Sequence, residues 1–203
     1  MKLTNKAFVL TALFAASISL FYACSKSAKE PVASVSTVSA SGSSNLDAAY
    51  MCGFAVSAPL TAGQSIDAGS MTIQNDPDNV YVTYNTSGDW KLSEVHLSID
   101  CNTNGDCTQA KSSDLAPGKF PYKMVFTAGT ADLPTSYTFT IPRSTLGTCS
   151  CFCIYPHAVV VRTSGASIAE TQTAWGGYVS QITNGKWYGG TNYCLQECGD
   201  LGK

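Results

Sequence analysis

Asp78-Asn79-Val80-Tyr81-Val82-Thr83-Tyr84, followed by Trp90-Lys91-Leu92-Ser93-Glu94-Val95-His96-Leu97-Ser98-Ile99, is the stretch on which the fold is decided. Val80, Val82 and Tyr84 alternate with Tyr81 and Thr83, and Val95, Leu97 and Ile99 alternate with Glu94, His96 and Ser98. A period of two places every second side chain on one face of an extended chain, whereas a helix would need a period near 3.6. The same alternation recurs on either side. Met71 and Ile73 are flanked by Ser70, Thr72 and Gln74; Tyr122, Met124 and Phe126 form another set; Tyr137, Phe139 and Ile141 alternate with Thr138 and Thr140. Ala158 to Arg162 is a β-branched run. Between these segments lie Asn75-Asp76-Pro77-Asp78-Asn79, Ser87-Gly88-Asp89, Asn102-Thr103-Asn104-Gly105-Asp106, Ala116-Pro117-Gly118 and Asn184-Gly185. These are turn chemistries, supplying left-handed backbone, fixed φ and local side-chain acceptors. Six or more short strands with such punctuation predict an all-β fold, an antiparallel β-sandwich forming a single domain. Ser167 to Trp175 reads as strand or irregular loop, and Trp187-Tyr188-Gly189-Gly190 as a loop.

Upstream the composition changes. Lys2 and Lys6 precede an uncharged, largely apolar run from Ala7 to Ala23 that ends at Cys24. That run is short for a membrane span and has the order of a bacterial leader: positive start, apolar stretch, small residue, cysteine. Leu20-Phe21-Tyr22-Ala23-Cys24 resembles a lipobox, although the branched residue stands four places before the cysteine and Tyr22 is bulky. The expectation is a lipoprotein signal peptide over 1–23 and lipidation at Cys24, giving a membrane anchor; a plain cleaved leader is the alternative. Residues 24–47, rich in Ser, Ala and Val, read as a tether with too little apolar area to offset ordering entropy. The folded domain is expected over 48–203. Ser25 after the cysteine suits the outer membrane by resemblance to bacterial lipoproteins, and both periplasmic and surface-facing orientations are compatible with it.

Nine cysteines fit that compartment. Setting Cys24 aside leaves Cys52, Cys101, Cys107, Cys149, Cys151, Cys153, Cys194 and Cys198, an even number in an oxidising setting, where cysteines serve as staples. Cys149, Cys151 and Cys153 would share one face of a strand and need partners from elsewhere. The expectation is a local Cys101–Cys107 bridge, with bridges tying both chain ends to the cluster. A Cys-x-Cys-x-Cys metal site is the sharper alternative, but zinc sites favour Cys-x₂₋₄-Cys pairs, so no metal is expected.

Net charge is −2, and −4 once Lys2 and Lys6 leave with the leader, which provides no electrostatic footprint for nucleic acid. There is no G-x-S-x-G elbow, H-E-x-x-H pair, phosphate loop or dinucleotide fingerprint, so no catalytic residue or cofactor is assigned. Asn75 to Asn79 offers oxygen ligands for calcium but lacks EF-hand spacing and reads as a hairpin turn. Asn85-Thr86-Ser87 matches a glycosylation sequon and reads most simply as a turn. Were their strands neighbours, Glu94, His96, His157 and Glu170 could form a polar site; ordinary strand hydrogen bonding is the plainer reading. Trp90, Trp175 and Trp187 stand beside glycine or polar residues, where rings could serve a glycan- or peptide-binding face or plug the ends of the sandwich.

The order of Asp78–Tyr84, Gly88–Leu97, Gly118–Lys123, Tyr137–Pro142, His157–Val160 and Glu170–Gly176 resembles a largely uncharacterised β-rich module of secreted and surface proteins of the Bacteroidetes type. The resemblance spans most of residues 60–190. It implies an extracytoplasmic module without implying an activity, and the cysteines around 149–153 and 194–198 depart from it. Three functions compete: a module binding an extracytoplasmic glycan or protein, a structural lipoprotein of an outer-membrane complex, and a hydrolase using His96 or His157 with a carboxylate.

Overall fold

The computed structural model describes residues 51–101, 106–107, 115–165, 167–181 and 186–199. The leader, Cys24, the tether, the domain start at 48 and most of the 102–106 and 184–185 turns lie outside the described residues. Among the described residues there are ten strands: β1 (Cys52–Ala62), β2 (Ile66–Asn75), β3 (Asn79–Thr86), β4 (Trp90–Cys101), β5 (Tyr122–Val125), β6 (Ser136–Pro142), β7 (Cys151–Ser164), β8 (Ser167–Gly176), β9 (Tyr178–Gln181) and β10 (Trp187–Cys194). All pairings are antiparallel, in the order β5-β4-β7-β8-β1-β2-β3-β6, with β10 joining β7 and β9 joining β10. β8 and β1 share only Leu60–Ala62 opposite Ala174–Gly176. There the sheet folds over, so that β1-β2-β3-β6 lies against β4-β7-β8 as an antiparallel β-sandwich. The layers meet through side chains: the fully buried Tyr84 of β3 donates its hydroxyl to the His96 carbonyl of β4 at 2.8 Å.

Local chemistry explains the connections. Asp76 builds the β2–β3 hairpin by accepting from the Asp78 N–H (2.8 Å), the Asn79 N–H and the Tyr81 hydroxyl (2.6 Å). Burial opposes ionisation of Asp76, yet these donors outweigh it and hold its pKa below the usual carboxylate value. The oxygens read as possible calcium ligands are thus engaged in a turn. The β1–β2 turn places Gly63 (φ 51°) and Gln64 (φ 77°) in the left-handed region, as a tight hairpin with right-twisted strands requires. Ser87-Gly88-Asp89 instead carries the chain from one layer to the other, since β3 and β4 are not sheet neighbours. A register shift between Leu92 and Glu94 reverses parity in β4, so Trp90 and Leu92 point to the same core as Val95 and Leu97.

The inner core joins Leu60, Met71, Ile73, Val80, Val82, Tyr84, Leu97, Ile141, Phe152, Ile154 and Val160. A second cluster lies on the opposite face of β7, where Leu115 and Phe120 cover Cys153, Tyr155, Trp175 and Tyr188. β7 is therefore buried on both faces over most of its length. Pro156 sits within it where β10 pairing has ended at Ile154 and β8 pairing begins at His157, the position at which a missing N–H is cheapest.

Ser167–Gly176 is strand, and Trp187-Tyr188-Gly189-Gly190 opens strand β10 instead of forming a loop. The two glycines lack alternation, but Gly189 passes so close to the Gly176 carbonyl that a Cβ would lie 2.6 Å from it. The disulfides also differ from expectation. The pairs are Cys52–Cys198, Cys101–Cys149, Cys107–Cys153 and Cys151–Cys194. Cys101 does not close a short loop with Cys107, because pairing of Cys101 with Phe152 brings it beside the chain entering β7, while Cys107 lies over the outer face and meets Cys153. The chain ends are bridged to one another. Of the cluster, Cys151 alone reaches the C-terminal strand, directly across from Cys194.

Candidate functional site

β4 and β7 are neighbours, and His96 lies directly opposite His157 with the two Nδ1 atoms 3.3 Å apart. Both imidazoles are buried. Trp175 of β8 is across from His157 and sets its ring edge-on at 4.8 Å. Glu94 Oε2 is 3.8 Å from His96 Nε2. Burial pushes the His157 pKa down to about 3, and the neighbouring His96 adds to this. Burial also lowers His96; Glu94 opposes the shift and Lys123 reinforces it. Both rings are neutral near pH 7, and one Nδ1–H donates to the other Nδ1. This pair closes the sheet between two covered faces. The ring that accepts at Nδ1 carries its proton on Nε2, and the His96 Nε2 faces the Glu94 carboxylate at 3.8 Å.

Glu170 does not join them. It faces Arg162 at 3.6 Å, and that guanidinium lies 4.5 Å from the centroid of Trp90. Trp90 and Trp175 are buried core plugs and Trp187 is half-buried against the outer cluster. None of the three tryptophans is a surface platform. Among the described residues the most exposed aromatic rings are those of Phe54 and Tyr178, 88% and 77% exposed, and no motif in the sequence marks either.

Tyr178 belongs to a groove created by a fork in the sheet. β8 stops at Gly176, and Gly177 (φ 95°) turns the chain away to form β9. A Cβ on Gly177 would fall 2.5 Å from the Gly190 carbonyl, so this departure requires glycine. β1 loses its strand partner there: Pro59 C=O accepts from Gly177 N–H at 2.9 Å, and beyond it no strand pairs with that side of β1 among the described residues. The resulting groove, about 410 Å³, runs between Val56–Ala58 of β1 and Tyr178, Ser180 and Gly190–Asn192 of β9 and β10. Asp106 and Cys107 form its rim. Two bridges, Cys107–Cys153 and Cys151–Cys194, fasten the rim and β10 to β7. Thr191 is 5% exposed, and its Oγ1 is buried without a hydrogen-bond partner. The signals that could have revealed this groove were few: Gly176-Gly177 as a strand break and an aromatic directly after it.

A polar clamp closes the far end of the domain. Asn75, fully buried, donates to the Asp76 and Gln196 carbonyls and accepts from the Tyr193 hydroxyl (2.7 Å) and the Gln196 N–H (2.8 Å). Burial, against a smaller opposing influence of Arg143, raises Tyr193 to about 12, which keeps it a neutral donor. Fold and site together define a disulfide-stapled antiparallel sandwich with a groove at a fork in its sheet. No family model, curated protein or solved structure matches this chain.

Proposed function

We propose that the protein is a lipid-anchored module of the bacterial cell envelope whose sandwich domain binds an extracytoplasmic ligand. One observation carries the reading: all eight cysteines downstream of Cys24 are paired, in four bridges that span 43 to 146 residues of sequence. Such staples persist in oxidising compartments and are rare where thiols are kept reduced. The leader-like start, Cys24 and the resemblance to secreted modules of the Bacteroidetes type favour the same address. The groove beside β1 supplies a place for a ligand. A second reading, a structural lipoprotein of an outer-membrane complex, draws on Met124 and Val125, exposed on the terminal strand β5.

The intact mass of the mature protein from its native host, together with fractionation of the envelope, tests the proposal. It requires loss of residues 1–23, acyl mass on Cys24 and recovery with the outer membrane. A soluble product retaining its leader would overturn it.

A further inference from the structure

We infer that the outer edge of β6 is a self-association edge, at which two copies of this chain join their sheets antiparallel about a two-fold axis at Thr138.

The direction of the β6 backbone comes first. The Thr86 N–H donates to the Thr135 carbonyl at 2.8 Å and the Arg143 N–H to the Asp78 carbonyl at 2.8 Å, in the register that sets Tyr84 opposite Tyr137 and Val80 opposite Ile141. Hydrogen-bonded positions alternate along an antiparallel pair. Tyr137, Phe139 and Ile141 therefore direct their main-chain groups to β3, and Ser136, Thr138 and Thr140 turn theirs away from it. β6 ends the strand order, and among the described residues no strand pairs with that outward side.

Sheet edges are commonly blunted by charge, proline, bulges or shortness. The other free edges of this domain are. β5 and β9 have four residues each, and β5 carries Lys123. The outward side of β1 contains Pro59 and is broken by the register shift between Cys52 and Val56. β6 is different: its pairing with β3 runs unbroken over seven residues, and its one proline, Pro142, is the last of them. No charged side chain occurs from Pro134 to Pro142.

The sequence of β6 fits a second copy of itself. With the axis at Thr138, Thr138 faces its own equivalent, Ser136 faces Thr140, and Tyr137 faces Phe139. Hydroxyl pairs and aromatic pairs are favourable cross-strand neighbours. About six main-chain bonds form in this alignment. Pro142 falls opposite Pro134 of the other copy, so the ladder stops at both ends on residues with no N–H to leave unpaired. Charge agrees. Asp132 precedes the strand and Arg143 follows it, so antiparallel pairing brings each carboxylate to the end where the other copy's guanidinium lies. A parallel alignment would bring like charges together. β5 edges the opposite layer on the same side of the domain, with Phe126 set edge-on against Tyr137 at 5.4 Å, and its exposed Met124 and Val125 supply apolar surface at this seam. The groove beside β1 lies at the other edge of the layer and stays open.

The test places cysteines in the full-length chain in its native host and reads non-reducing gels. Hydrogen-bonded neighbours have Cα atoms about 5.5 Å apart, within disulfide reach. Thr138→Cys therefore gives a covalent dimer. Ser136→Cys stays monomeric, because its equivalent lies about 14 Å away, and adding Thr140→Cys to it restores the link. In native mass spectrometry from detergent the unaltered chain is dimeric. Thr138→Lys sets two ammonium groups face to face and weakens the dimer roughly tenfold or more, with all four disulfides retained. An unaltered chain of single mass, a dimer that Thr138→Lys leaves intact, no covalent dimer from Thr138→Cys, or equal linking from Ser136→Cys overturns the inference. So does slow hydrogen exchange at the Ser136 and Thr140 amides in the Thr138→Lys monomer, which would mean that the chain covers this edge itself.

Discussion

The two faces of β7 are built by different means. Inward, Phe152, Ile154, Ala158 and Val160 interlock with apolar side chains of β2, β3 and β4, and nothing but area and shape holds them. Outward, Cys153, Tyr155 and His157 meet a disulfide, aromatic edges and a second imidazole beneath Leu115 and Phe120. The inner face could form in any fold of the right pattern. The outer face needs a cover, and that cover is pinned by a covalent bond, because the short segment around Leu115 and Phe120 brings little apolar area of its own. The groove lies at the margin of this outer layer, so the same bridges that secure the cover also hold the candidate site.

The comparison makes graded predictions. Ile154→Ala, on the inner face and fully buried, lowers unfolding free energy by about 4 kcal/mol and loosens both layers together, measurable by denaturant titration. A loss below about 1 kcal/mol would mean the inner face is less tightly packed than described. Replacing Cys107 and Cys153 together by alanine costs roughly 3 kcal/mol. Its mark is selective: hydrogen exchange rises at Phe120, Tyr155 and Tyr188 while Val80 and Val82 stay protected. Uniform loss of protection would erase the distinction between the faces.

Acid separates the faces further. His157 titrates near 3 in the folded chain, below the ordinary value of 6.5, and His96 is also lowered. Between these values the unfolded chain binds more protons, so this stability is complete above about pH 6.5 and drains as pH falls toward 3. The His157 share amounts to roughly 2–3 kcal/mol on going from pH 7 to pH 4.5. In His157→Phe, which keeps a ring against Trp175, the slope of stability against pH over that window flattens; an unchanged slope would remove the imidazole pair from the account. The smallest effect belongs to the hairpin turn, where Asp76→Ala deletes the acceptor of four donors and costs about 1–2 kcal/mol, read as a fall in thermal midpoint.

The same contrast explains what a reader of the sequence can and cannot see. Strands with one face in the core, such as Val80-Tyr81-Val82-Thr83-Tyr84, announce themselves by alternation. β7 reads as a β-branched run because both of its faces are covered, and periodicity is silent in that case. β1 escapes notice because Gly53, Ala55, Ser57, Ala58 and Pro59 are small or polar and a register shift interrupts them. β10 is concealed by Gly189 and Gly190, which serve close backbone approach. His96 and His157 were visible as residues, but their meeting depends on β4–β7 register, and register also decides that Cys101 finds Cys149 and not Cys107. The groove depends on where β8 ends and β9 departs, a property of three strands together and not of any one segment. Asn75 looked like one more turn residue, and only the path of the C-terminal segment makes it a clamp.

Disulfide mapping of the natively exported protein, by non-reducing proteolysis and mass spectrometry, addresses the central claim most directly. The account predicts four linked peptide pairs, joining Cys52 to Cys198, Cys101 to Cys149, Cys107 to Cys153 and Cys151 to Cys194, with no thiol free among the eight. A peptide linking Cys101 to Cys107, or eight cysteines in reduced form, would contradict it.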